Sequence, residues 1–131
     1  MKKNSLLNQP ISAMIAGLGH RDTIVIADAG LPIPEGPIRI DLALTKDVPL
    51  FLQTLEVVLS EMQVERAIIA EEMLQVSADL QPAIAKRLGG LPIEMVSHEE
   101  FKERTRSAKA VIRTGQFTPY ANIILVAGVV F

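Results

Sequence analysis

Between Thr23 and Ala27 the chain reads Thr-Ile-Val-Ile-Ala, a β-branched run with no polar alternation. Successive side chains of a strand point to opposite faces, so a strand that is apolar throughout has to be covered on both of them. Helices are the natural cover. Just upstream, Leu7, Ile11, Met14, Ile15 and Leu18 recur at helical spacing, Asn8 can cap, Pro10 suits the first turn and Gly19 lies past the end, which predicts a helix over Gln9 to Leu18.

The same alternation continues to the end of the chain. Strands are expected at Ile38 to Leu42, Val64 to Ala70, Pro92 to Val96, Ala110 to Arg113 and Asn122 to Ala127. Phe51, Leu55, Val58, Leu59 and Met62 form one helical stripe, with Asp47 as cap and Pro49 near its first position. Ser77, Leu80, Ile84, Leu88 and Gly89 mark cap, stripe and stop of a third helix, and Pro82 fits its first turn. Ser97 and Glu100 form a capping box opening a fourth helix that runs through Arg106. The stretch Ala29 to Pro37 holds two glycines and three prolines and reads as a stiff loop. These elements predict an α/β fold. It is a single three-layer domain over residues 1–131, with a mixed, partly parallel sheet, antiparallel strands at its edges, and helices on both faces.

A chain of 131 residues, 49% hydrophobic and 21% charged, suits one domain with a sizeable core. Its 13 basic and 15 acidic residues leave a formal charge of -2, and Glu103 breaks the only basic cluster, Lys102 to Arg106, so nucleic acid is not expected as a partner. The absence of cysteine removes disulfides, thiolate nucleophiles and cysteine-bound metals. Met1-Lys2-Lys3 resembles the start of an export signal, but Asn8 to Pro10 interrupts the apolar stretch that should follow, and no run reaches membrane-spanning length. A cytoplasmic chain, not in a membrane, is the expectation.

With two histidines and one tyrosine, few groups can move protons near neutrality. Ligands of open α/β sheets bind outside the carboxyl ends of strands, where Asp28 and the Ser97-His98 pair fall. His20 precedes the first strand and can join them only if the chain folds back. Each residue also has a plainer reading. His20 can be an imidazole at a helix C-terminus, and Asp28 can accept the backbone N–H groups of Gly30 and Leu31. His98 can be an exposed member of a capping box, and Tyr120 a core ring. Tyr120 and Asn122 bracket the start of the last strand after a Gly/Pro turn. A dinucleotide loop is excluded: Gly17 and Gly19 are followed by Asp22, and they precede a strand instead of following one. His20, His98 and Asp28 lack the short ligand spacing of a metal site, and none is expected.

Three blocks in order resemble the ribose pyranase and fucose mutarotase family: Gly19-His20 with Asp22 and Asp28 to Pro32, Ser97 to Lys102, and Arg113-Thr114-Gly115 with Tyr120 and Asn122 to Leu125. The likeness spans Leu7 to Phe131, and Leu31, where the fucose branch carries an aromatic, favours the ribose branch. The resemblance implies a cofactor-free enzyme that interconverts pyranose and furanose ribose, assembled as a ring-like homo-oligomer of ten. It implies His20 as proton donor, with Asp28, His98 and the segment Tyr120, Ala121, Asn122 holding the sugar, that last segment supplied by a neighbouring subunit. The chemistry suits the residues. Opening a cyclic hemiacetal removes the anomeric proton while protonating the ring oxygen, work for a group titrating near neutrality such as histidine. The apolar ending Ile123 to Phe131 is expected to lie partly in a subunit interface.

Overall fold

The computed structural model describes residues 1–131. Its strands are β1 (Thr23–Ala27), β2 (Ile38–Asp41), β3 (Val64–Ala70), β4 (Ile93–Val96), β5 (Ala110–Arg113) and β6 (Ile123–Ala127). They form one sheet in the spatial order β2-β5-β1-β6-β3-β4. The pairs β2 with β5, β5 with β1, and β3 with β4 are parallel, whereas β6 runs antiparallel to both of its neighbours, β1 and β3.

The helices are α1 (Gln9–Ala16), α2 (Phe51–Leu59), α3 (Met73–Val76), α4 (Leu80–Leu88) and α5 (His98–Thr105). Strand alternation divides the core in two. Ile24, Ile26, Ile69, Ile112, Ile123 and Leu125 point to one face, where they meet Ile11 of α1, Phe51, Leu55 and Val58 of α2, and Ile84 and Leu88 of α4. Val25, Ala27, Ile68, Val111, Ile124 and Val126 point to the other, under Phe101 of α5, Ala108 and Leu31. The expected three layers are therefore present. One detail differs: the antiparallel strand is central and not at an edge. Every residue of β6 is buried, and an uncharged apolar run of that kind would leave unpaired backbone and greasy side chains in water if it stood at the rim.

Helix ends deviate where a cap is taken by a distant partner. Asp47 does not cap α2; its Oδ1 accepts the Phe117 N–H at 2.9 Å, and the Phe51 N–H at the helix start donates to Gln116 Oε1 at 2.9 Å. Ser77 does not open α4. Its hydroxyl donates to the Pro119 carbonyl at 2.7 Å, and the helix begins at Leu80 after the separate turn α3. Asn8 does cap α1, accepting the Ile11 N–H at 3.0 Å, but that helix stops at Ala16. Both displaced caps reach the turn 114–119, which the loop 45–49 also clasps: the Gly115 N–H donates to the Pro49 carbonyl at 3.0 Å, and the Asp47 N–H donates to the Gly115 carbonyl at 2.6 Å.

Arg104 of α5 meets Glu94 of β4 at 2.9 Å, and Arg66 of β3 meets the same carboxylate at 3.1 Å, tying α5 to the sheet edge. The Arg104 hydrogen bond holds the Glu94 carboxyl below its ordinary value of 4.5. With the folded value below the unfolded one, this contribution is present above the unfolded value and lost as pH falls through the folded one. Glu94→Gln should accordingly flatten the fall of Tm between about pH 5 and pH 3; a profile that superimposes on wild type contradicts the assignment. A second outcome concerns the clasp. A Cβ at Gly115 would collide with the carbonyl oxygens of Val48 and Thr45, so Gly115→Ala should cost about 1–3 kcal/mol, read as a lower urea midpoint at unchanged slope.

Candidate functional site

Because β6 runs antiparallel beside β1, the residue leaving β1 meets the residue entering β6. Asp28 and Asn122 are those residues, and they bond reciprocally: the Asp28 N–H donates to Asn122 Oδ1 at 2.8 Å, and Asn122 Nδ2 donates to Asp28 Oδ2 at 3.0 Å. The other carboxylate oxygen, Oδ1, accepts the N–H groups of Gly30 at 2.9 Å and Leu31 at 2.8 Å. Asp28 thus makes the turn contacts of its plainer reading and also faces a cavity. Asn122 is 1% exposed, and both its side-chain oxygen and its side-chain nitrogen bond to Asp28.

On the adjacent parallel strand, Thr114 follows β5 and donates its hydroxyl to the Ala27 carbonyl at 2.7 Å, closing the floor under Asp28. The turn beyond it returns through Gln116 to Tyr120, whose backbone is left-handed at φ 61°. That conformation costs a non-glycine residue about 1–2 kcal/mol. It is held by the Asn122 N–H on the Tyr120 carbonyl at 2.8 Å and by the Ala121 N–H on Thr118 at 3.3 Å. Ala121 itself is fully buried in the core and does not line the cavity, contrary to its expected place among the sugar-holding residues.

His98 is the first residue of α5, with Ser97 as cap accepting the Glu100 N–H at 3.1 Å. Its ring lies parallel to Phe101 at 6.4 Å and edge-on to Tyr120 at 5.0 Å. Its Nδ1 is buried without a hydrogen-bond partner. Asp28, His98, Tyr120 and Asn122, together with the 28–32 loop and the 116–119 turn, line one cavity of about 460 Å³, a size suited to a small polar molecule.

Two expectations need correction here. Tyr120 and Asn122 share their cavity with Asp28 and His98 of the same chain, because β1 and β6 are sheet neighbours; no second subunit is needed to bring them there. His20 does not fold back to join them. It stands at the opposite end of β1, across five extended residues or about 16 Å of strand, with its Nε2 2.9 Å from Glu65 Oε2 on β3. The Arg21 N–H, bonded to the Ala127 carbonyl at 2.8 Å, fixes that turn at the far edge of the sheet.

Sequence reasoning missed Glu72 and Gln116. Both Glu72 oxygens lie 3.0 Å from the His98 amide nitrogen; Glu72 follows β3 by two residues, so the strand-end rule that singled out Asp28 would have found it. The His98 amide hydrogen bond holds the Glu72 carboxyl below its ordinary range. Gln116, within the turn already singled out, donates its amide to the Thr118 hydroxyl at 2.8 Å and accepts from α2, joining the cavity wall to the helix layer.

Comparison with known proteins matches residues 1–130 to the RbsD / FucU transport protein family. The chain belongs to that family. It is 58% identical over 131 residues to the D-ribose pyranase of Coprothermobacter proteolyticus, covering all of both chains. The solved structure of Bacillus subtilis RbsD complexed with D-ribose is 50% identical and superimposes with a TM-score of 0.97, again over the full length of both. A fucose mutarotase in complex with L-fucose from Streptococcus pneumoniae has the same fold at 25% identity and a TM-score of 0.80, with both chains fully covered.

Removing the Asn122 amide strands the Asp28 N–H and one carboxylate oxygen in a half-buried cleft. Asn122→Ala should therefore lower stability by about 1–3 kcal/mol, measured by urea denaturation, and loosen the 28–32 loop in hydrogen exchange. Unchanged stability with unchanged protection of Gly30 and Leu31 would contradict the assigned pair.

Proposed function

We propose that this chain is a cofactor-free isomerase that interconverts the pyranose and furanose forms of D-ribose. The observation that carries the reading is the single cavity holding Asp28, His98, Tyr120 and Asn122. It is supported by a D-ribose pyranase identical at 58% of positions and a ribose-complexed relative at 50%.

The residues divide the work by what their remaining valences allow. Three donors already occupy the Asp28 carboxylate, which makes it a fixed acceptor for a sugar hydroxyl and a poor carrier of the moving proton. A proton on the buried, partnerless Nδ1 of His98 would be an orphaned donor, a rarer and costlier situation than a bare lone pair. A ring with its proton on Nε2 avoids that cost, and in that form His98 serves the sugar as a hydrogen-bond donor. Tyr120 adds a hydroxyl that can donate or accept. Such a set discriminates among sugars, because a missing hydroxyl leaves buried polar groups unpaired.

With His98 and Tyr120 assigned to binding, protonation of the ring oxygen as the hemiacetal opens is left to His20. His20 has the chemistry, and a step of this kind contributes about 10² to 10⁴-fold. It lies at the wrong end of its own chain, so the reading requires His20 of a second copy to enter the cavity. The surface supports such a meeting. Val130 and Phe131 are almost fully exposed and follow Ala127, to whose carbonyl the turn carrying His20 is bonded. Phe117, on the cavity wall, is 61% exposed. Large apolar side chains gathered at both ends of the molecule suit head-to-tail contacts between copies. We take the assembly to be a homo-oligomer of ten and its place of action to be the cytoplasm; no helix is long and apolar enough to cross a membrane.

Saturation-transfer NMR of ribose with catalytic amounts of protein tests the activity: exchange between pyranose and furanose signals should accelerate, and His20→Ala should abolish most of the acceleration. Ribose binding without faster exchange would favour a non-catalytic sugar-binding or transport role, which the family's description as transport proteins suggests. Co-assembling His20→Ala with Asp28→Ala subunits should restore about one quarter of wild-type exchange, since random pairing leaves that share of shared sites intact. No recovery in verified mixed oligomers contradicts the shared site.

A further inference from the structure

One carboxylate outside the cavity lining decides where a cavity residue stands. Glu72, at the start of α3, turns both oxygens onto the backbone N–H of His98 at 3.0 Å. The first N–H groups of a helix have no partner within it. In α5 the cap Ser97 takes the N–H of Glu100, and the Glu100 carboxylate, which a complete capping box would return to Ser97, instead binds Arg104 at 3.0 Å. The amide of His98 is left to Glu72. A negative charge at that terminus is also favourable to the helix dipole.

The ring of His98 has no comparable anchor. Neither of its nitrogens is hydrogen-bonded within the chain, Nδ1 being buried without a partner, and the rings of Phe101 and Tyr120 flank it. The position of the ring is therefore set by its backbone and by packing. The backbone is held by β4, which ends two residues earlier, by the helix that His98 opens, and at its own amide by Glu72.

We propose that Glu72 is a positioning residue of the sugar site: by fixing the His98 amide it places the imidazole against Tyr120, ready to donate to a ring hydroxyl, without touching the sugar itself. The sugar half of this statement rests on the pyranase reading; the placement of His98 rests on the geometry alone. Glu72→Ala should raise the ribose KM about tenfold while kcat changes less than about twofold, the signature of a lost binding contribution. Glu72→Gln, which keeps one acceptor, should recover most of that loss. In a His98→Ala background the same Glu72→Ala change should have no further effect, because its action passes through His98. An additive penalty there, or an unchanged KM in the single variant, overturns the proposal; if Glu72→Ala does not fold, Glu72→Gln carries the cycle with an expected loss of about threefold. In the free protein, the His98 ring resonances should move and the His98–Tyr120 ring contact should weaken in either variant, and unaltered signals overturn the positioning role with no sugar present. A wild-type protein that binds no ribose would instead overturn the proposed function, and the free-protein signals would still decide the place of Glu72.

Discussion

The site rests on the antiparallel pairing of β6 against β1. That pairing brings the chain's turn after Ala27 to the residue that opens the last strand, and Asp28 and Asn122 satisfy each other across the junction. Asn122 is buried and bonded to Asp28 through both its oxygen and its nitrogen, so the acceptor geometry of Asp28 is fixed before any ligand arrives. Preorganised polar groups of this kind spare the ordering cost that flexible ones bring to binding. From the same junction follow the return of Tyr120 over the cavity and the meeting of its ring with His98.

A five-residue strand also separates what the chemistry would unite. The cavity residues gather at one end of β1 and His20, the proposed proton donor, stands at the other, each held by its own contacts: Asn122 for Asp28, Glu65 and the Arg21 backbone for His20. Under the proposed function, a monomer of this shape has half a site at each end. Identical subunits meeting head to tail can join the halves, and the exposed apolar residues near each end give them reason to meet.

Much of the fold was legible because its signals are local. Thr23–Ala27, Val64–Ala70 and Ala110–Arg113 form strands over the residues their apolar runs mark, and Ser97 caps α5 where the Ser-to-Glu spacing places it. What was not legible is tertiary. Asp47 and Ser77 have the chemistry of caps, yet both are drawn to the 114–119 turn, a competition no local window contains. The central place of β6 depends on strand order, which periodicity does not encode. Asp28, His98, Tyr120 and Asn122 were visible as polar groups at strand ends, but the expectation that Tyr120 to Asn122 comes from a neighbouring subunit lacked the strand order that puts β6 beside β1 in one chain. Glu72 stands two residues past β3, where the strand-end rule points, but the identity of its partner, a backbone amide on another element, is not encoded in any local window.

The central claim is that one chain holds only half of the chemistry. The most direct measurement follows the specific rate of ribose ring exchange as the protein is diluted through its dissociation, with the oligomeric state read in parallel by analytical ultracentrifugation. The account predicts that ribose exchange per subunit falls with the assembled fraction and vanishes in the monomer. A folded monomer that exchanges ribose at the full rate would contradict it.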